Sequence, residues 1–222
     1  MHEEIPHIFP ELDAATDELI RTAHWCAAKG WVPATSGNFS VRIGNHMRVT
    51  VSGLDKSQLS REGLLDMTLE GHFIAGSGNP VTARPSAESL LHRIIYRERP
   101  NAGAILHTHS IWCTILSDET LPYGAAAGEL VITGYELLKA FSGVSTHQHE
   151  ERIPILRNTQ DYVALSGQLH HSLEHNTSAH GVLLSAHGLY TWGESVAEAR
   201  RHLEALEFLF EVLVRRRSLS PA

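Results

Sequence analysis

Ala104-Ile105-Leu106-His107-Thr108-His109-Ser110 runs a short apolar segment straight into two histidines two residues apart. As a strand, the segment sends successive side chains to opposite faces. His107 and His109 then share one face, and both imidazoles can point at a single ion. The rest of the chain can be read by what it brings to that point.

Immediately upstream, Pro85-Ser86-Ala87-Glu88 opens a segment with helical spacing to about residue 97, with Ser86 as the expected N-cap and Pro100 as the stop. Further upstream, the apolar positions Leu12, Ala15, Leu19, Ala23 and Cys26 predict a helix over 10–29, and residues 1–10 are expected to be a loosely ordered lead-in. Residues 34–43 read as a polar turn feeding an alternating strand and 47–52 as a second strand, with a Gly44-Asn45 hairpin between them, and 65–69 with 72–75 as a further short pair around Glu70-Gly71. A loop is expected over 76–80. Downstream, 111–116 reads as a short helix or extended segment and 134–141 has helical spacing. Residues 152–156 form a strand whose Pro154 implies an edge or a bulge. Residues 159–175 form a helix capped by Thr159. Residues 181–185 are a buried strand delivering Ala186-His187-Gly188, followed by a short strand over 189–192. A long helix covers 194–217, with Arg215, Arg216 and Arg217 at the negative end of its dipole. Hairpins and helices are mixed rather than alternating as regular βαβ units. That order predicts an α/β protein of three layers, with helices on both faces of a central, largely antiparallel (mixed) sheet. With no internal repeat and no linker-like segment, one domain is expected over 1–222.

Composition narrows the function. A net charge of −7 argues against a general nucleic-acid binder, which needs a basic face. No apolar run approaches the roughly 18 residues that span a bilayer. Cys26 and Cys113 sit in apolar helical patterns without CxxC or scaffold spacing, and no basic-then-apolar leader opens the chain, so a cytoplasmic location is expected. Histidine is the outlier, at 16 of 222 residues, more than packing alone requires.

A third ligand for the His107/His109 pair is His187, at the mouth of a strand and followed by Gly188, which removes bulk beside it. Three imidazoles with an open position suit a catalytic zinc, whose Zn–N bonds are about 2.0–2.1 Å. His147-Gln148-His149 has the same spacing but lies in a polar run with no apolar strand before it, so a solvated loop is the better reading there. His24, His92, His170, His171, His175 and His202 fall on helical patterns as surface or packing residues.

Five ordered motifs now support a resemblance: Ser-Gly-Asn-Phe-Ser at 36–40, Val-Ser-Gly-Leu-Asp-Lys at 51–56, Arg-Pro-Ser-Ala-Glu at 84–88, His-Thr-His-Ser at 107–110 and Ala-His-Gly at 186–188. From about residue 19 to 210 the chain resembles the class II aldolase family, zinc-dependent sugar-phosphate aldolases and epimerases. Residues 132–139, 152–155 and 188–193 resemble the branch of that family that dehydrates 5-methylthioribulose 1-phosphate in methionine salvage. The resemblance implies one Zn²⁺ per subunit on His107, His109 and His187, and a homotetramer about a fourfold axis with active sites near subunit boundaries. It implies two acid/base carboxylates: Glu136, taken as the main one, and Glu88, which matches the aldolase acid/base and here helps or shapes the site. A glutamate in that role is expected to have a raised pKa.

The substrate phosphate needs donors. Ser36-Gly37-Asn38 and Ser52-Gly53 are small-residue turns at strand ends, where backbone N–H groups can converge on an anion. Ser86 lies at a helix N-terminus, and Lys56 or Lys139 can add a point charge. Two other readings share parts of this evidence. One is a sugar-phosphate aldolase or pentulose-phosphate 4-epimerase on the same scaffold. The other is a non-catalytic binding module like the head of adducin, against which the intact histidine triad argues.

Overall fold

A computed structural model describes residues 10–74 and 84–219, with side chains from residue 14 onward. Helix α1 (Pro10–Ala28) leads into the hairpin of β1 (Asn38–Ile43) and β2 (His46–Thr50), followed by β3 (Leu64–Thr68). Helix α2 (Ser89–Glu98) precedes β4 (Ala104–Thr108), and α3 (Ile111–Thr120) precedes β5 (Ala127–Ile132). Then come β6 (Glu151–Leu156), α4 (Tyr162–His175), β7 (Gly181–Leu184), β8 (Gly188–Gly193) and α5 (Val196–Leu219). The strands form one eight-stranded sheet in the order β3-β2-β1-β4-β8-β7-β6-β5, antiparallel except where β6 meets β7.

Alternation along the strands sets the layers. In β4, Ala104 and Leu106 join a core formed with Leu19 and Ala23 of α1, Cys113 and Leu116 of α3, and Leu203 and Leu206 of α5. Ile105 points the other way, into a core with Leu91 and Ile95 of α2 and Leu165 and Leu169 of α4. The three-layer, largely antiparallel arrangement read from the sequence is therefore the observed one. Among the described residues, no helix is long and apolar enough to cross a membrane. Both cysteines are buried and unpaired.

Several boundaries differ from the sequence reading. Helix α2 begins at Ser89 rather than after Ser86, and α4 is capped by Asp161, whose carboxylate accepts from Ala164 N–H at 2.9 Å, rather than by Thr159. Strand β6 is interior, not an edge. Pro154 is accommodated because the ladder to the short β7 covers only Ile155 and Leu156. Residues 136–140 form a 3₁₀ turn rather than an α-helix, and the expected second strand after Gly71 reduces to a bridge between Met67 and Phe73. Strand β5 was not legible, since Ala-Gly-Glu-Leu-Val-Ile lacks alternation. Residues 1–9 and 75–83, with the lead-in and the loop expected there, lie outside the described residues.

The registers fix two ends of the sheet. Thr108 pairs with Leu189, Leu184 with Gly188, Leu156 with Leu184 and Ala127 with Leu156, so these residues line one end. Ala104 with Gly193 and Ile132 with Glu151 lie at the other.

Candidate metal centre

The first end of the sheet gathers His107, His109 and His187 with Glu88. One donor atom from each lies within 4.8 Å of all the others. His107 is the penultimate residue of β4, on the face of Ile105. His109 follows it, its N–H held at 2.7 Å by the Trp31 carbonyl. His187 sits in the turn between β7 and β8, after Ala186 in the left-handed region (φ 54°), a conformation costing a non-glycine residue roughly 1–2 kcal/mol. Glycine at 188 is required by contact. A Cβ there would lie 2.2 Å from the Thr108 carbonyl oxygen and 3.0 Å from Cε1 of His107.

Tautomers prepare these rings for a cation. His107 Nδ1–H donates to the Leu189 carbonyl and His187 Nδ1–H to Asn158 Oδ1, both at 3.0 Å. His107 Nε2 is therefore left with its lone pair toward the cluster. Nε2 of His107 and Nε2 of His109 approach to 2.8 Å, a contact that requires a proton or a cation between them. Burial disfavours the charged form of two of the rings: it pushes His107 well down and His109 to about 4, where His187 and Lys56 add to the effect. Three convergent imidazoles fit a divalent ion with an affinity for nitrogen ligands.

Glu88 completes the cluster. Oε1 is 3.1 Å from His187 Nε2 and Oε2 is 3.7 Å from His107 Nε2. Burial raises the pKa of this carboxyl, but the hydrogen bond from His187, the facing imidazoles and the Asn38 amide outweigh it. The carboxyl is held well below its usual range, contrary to the raised value expected of an acid/base glutamate. A directional relay aims it. Tyr96 O–H donates to Ser40 Oγ (2.9 Å), which donates to His92 Nδ1 (2.7 Å). His92 Nε2–H donates to Asn38 Oδ1 (2.5 Å), and Asn38 Nδ2–H donates to Glu88 Oε2 (2.6 Å). Burial pushes His92 down to about 3, so it carries one proton and orients Asn38. The Tyr162 hydroxyl lies 3.5 Å from Glu88 Oε1. Sequence reasoning missed Asn158, Tyr162 and the roles of His92 and Asn38.

The expected anion donors divide. Lys56 is buried, its Nζ donating to the carbonyls of Thr35 and Leu54 at 2.9 Å. Burial lowers its pKa to about 8, against the raising influence of Asp55 and Glu88. Ser36 Oγ is buried without a partner among the described residues, as a ligand-facing hydroxyl is. A Cβ on Gly37 would lie 2.6 Å from the His107 carbonyl oxygen, so that turn abuts the centre. The Asn38 side chain is committed to Glu88 and His92. Ser52 N–H already donates to the Arg84 carbonyl, so the Ser52-Gly53 turn is not the two-donor nest expected. Ser86 is not a helix cap, but Oγ accepts from Glu88 N–H at 3.2 Å and fixes the turn carrying that carboxylate.

Glu136 and Lys139 are not brought to this cluster. They follow β5 at the opposite end of the sheet, ion-paired to each other, with the Glu136 side chain 72% exposed. Within one subunit, Glu136, expected as the main acid/base, and Lys139, expected as a phosphate contact, therefore do not reach the triad. Tyr135, Leu137, Ala140 and Phe208 form an apolar groove beside Glu136. His147 is exposed, 3.9 Å from Glu136, and His149, in the same loop, is half-buried and bonds buried Glu151 at 3.0 Å; neither joins the triad.

Three comparisons relate the chain to known proteins. Residues 17–214 match the family model described as "Class II Aldolase and Adducin N-terminal domain". The chain is 42% identical over 198 residues to a methylthioribulose-1-phosphate dehydratase of Marinobacter nauticus, covering 89% of this chain and 91% of the relative. It is 46% identical over 192 residues to one of Xylella fastidiosa, covering 86% and 84%. The crystal structure of l-fuculose-1-phosphate aldolase from Thermus thermophilus superposes with a TM-score of 0.70 at 25% identity, covering 92% of this chain and 96% of that one.

Proposed function

The chain belongs to the class II aldolase and adducin N-terminal domain family, and on that premise we propose that it is a hydro-lyase converting 5-methylthioribulose 1-phosphate to 2,3-diketo-5-methylthiopentyl 1-phosphate, a step of methionine salvage. One observation supports the chemistry above all: three imidazoles and one hydrogen-bond-aimed carboxylate converge at a single sheet end. The choice of substrate rests on the dehydratase relatives.

His107, His109 and His187 hold a divalent cation, Zn²⁺ by ligand type. Bound there, the cation supplies Lewis-acid stabilisation for negative charge developing on the sugar oxygens. The residues of the chain do the rest. Glu88, charged and fixed by Asn38, takes the C3 proton. The C4 hydroxyl departs as water once protonated, and the resulting enol ketonises to the diketone. Lys56 and Ser36 bind the phosphate beside the Gly37 turn.

Glu136 delivers the proton to the departing hydroxyl at the centre of an adjoining subunit, because in its own subunit it stands at the far end of the sheet. This reading requires the homotetramer, and the apolar groove beside Glu136 is the kind of surface a neighbouring subunit covers. The whole chain acts as one catalytic domain in the cytoplasm.

Purified protein offered methylthioribulose 1-phosphate, fuculose 1-phosphate and ribulose 5-phosphate in parallel is expected to turn over only the first, with loss of water. Carbon–carbon cleavage of the second or epimerisation of the third, without dehydration, transfers the protein to the aldolase or epimerase reading. A preparation with no stoichiometric metal and no turnover of any of the three revives the adducin-like binding module. For Glu136, mixed oligomers of E136Q and H107A subunits are expected to regain activity that neither variant has alone. Absence of recovery removes the intersubunit role.

A further inference from the structure

We propose that His171, Glu174 and His175, on the outer face of α4, form a second divalent transition-metal site, separate from the triad. The three side chains are exposed, and one donor atom from each lies within 4.8 Å of the other two. His171 and His175 are four residues apart, one helical turn, so their rings stand one above the other with centroids 4.3 Å apart. That spacing lets two imidazoles on one helix face chelate one ion.

The proton arrangement repeats the logic of the first centre. His175 Nδ1–H donates to the His171 carbonyl at 2.7 Å, so its Nε2 lone pair faces outward. A backbone acceptor on one ring nitrogen fixes the other as the ligand, as Leu189 does for His107. Glu174 brings a negative charge, with Oε2 3.8 Å from His170 Nε2, a third imidazole on the same surface. His175 is the last residue of α4, at the negative end of the helix dipole, which favours a cation.

The site is remote from the triad. Helix α4 starts at Tyr162, next to Glu88, and its length carries His175 roughly 20 Å away along the axis. A groove of about 310 Å³, lined by Gly128, Glu129, Pro154 and Gln168, opens beside His171 and His175, leaving room for water or a small anion on the ion. Two imidazoles and a carboxylate select Zn²⁺, Ni²⁺ or Cu²⁺ over Mg²⁺ or Ca²⁺, with Cu²⁺ the tightest.

Equilibrium dialysis of the full chain against Zn²⁺ alone tests this. The wild type is expected to hold one more equivalent per chain than H171A/H175A, and the double variant to keep its dehydratase activity and circular dichroism. H175A alone is expected to lose the same equivalent. Equal zinc content in wild type and H171A/H175A overturns the proposal, as does Ca²⁺ displacing the extra equivalent at equal concentration. Because the readout is a difference in bound metal at exposed residues, it stands whichever substrate the triad serves.

Discussion

Nδ1 of His187 lies 3.0 Å from Oδ1 of Asn158, so the last-contributed ligand ring is held by an amide 29 residues earlier in the chain. Removing that acceptor frees the ring to rotate and to adopt the wrong tautomer. N158A is expected to weaken metal binding by about 10–100-fold while leaving the fold intact. N158D keeps an acceptor and is expected to stay near the wild type. Competition against a chelator of known affinity measures both. Wild-type affinity in N158A removes Asn158 from the site.

Asn38 stands between two groups that need opposite things from it. Its Oδ1 accepts from His92 while its Nδ2 donates to Glu88. Aspartate cannot donate, and it would set a second carboxylate against Glu88. N38D is expected to lower kcat by about 100-fold or more through misplacement of the base, with a smaller change in KM. Rapid assay of kcat alongside metal content separates this from simple metal loss. Undiminished kcat with full metal shows that Glu88 needs no such support.

The parts of the site legible in the sequence are those whose geometry is local. His107 and His109 share a face because a strand alternates, and His187 is marked by the strand before it and the glycine after it. Asn158 and His92 were not legible, because their partners are 29 and 54 residues away and only the fold brings them together. Glu136 shows the reverse difficulty. Its local motif is clear, yet the antiparallel β5–β6 pairing places it at the sheet end away from the triad, which no local pattern reveals. The fold class was legible from the order of hairpins and helices, whereas β5 was not, since Gly128 and Glu129 interrupt its apolar run.

Gly188 is fixed by the close approach of β8 to β4. In G188A the new methyl would meet a backbone carbonyl oxygen at 2.2 Å and His109 Cδ2 at 3.2 Å, and the carbonyl cannot rotate away without breaking the β4–β8 ladder. The expected loss of stability is about 1–3 kcal/mol, at the upper end because the obstacle is backbone. The same displacement moves two ligand rings, so metal content is expected to fall as well. Chemical denaturation with metal analysis checks both, and a G188A protein with wild-type midpoint and full metal contradicts the close approach.

Glu207 gives stability a pH dependence of its own. It is fully buried on α5, on the sheet face opposite the triad, and Thr108 Oγ1–H donates to its Oε1 at 3.3 Å. Burial raises its pKa from 4.5 to about 7, against the lowering bonds from Ser110 and Thr108 and with a further upward push from Glu211. Between those two values the folded chain holds a proton that the unfolded chain has released. Stability therefore falls as pH rises through that window, by on the order of 3 kcal/mol from this residue, and levels off above it. E207Q cannot titrate but keeps an acceptor for Thr108. Its melting temperature is expected to lose less than the wild type's between pH 4.5 and 7.5, at about 2–4 °C per kcal/mol for a chain of this size. Scanning both proteins across that range decides the matter, since parallel curves mean that Glu207 is ionised in the folded state throughout.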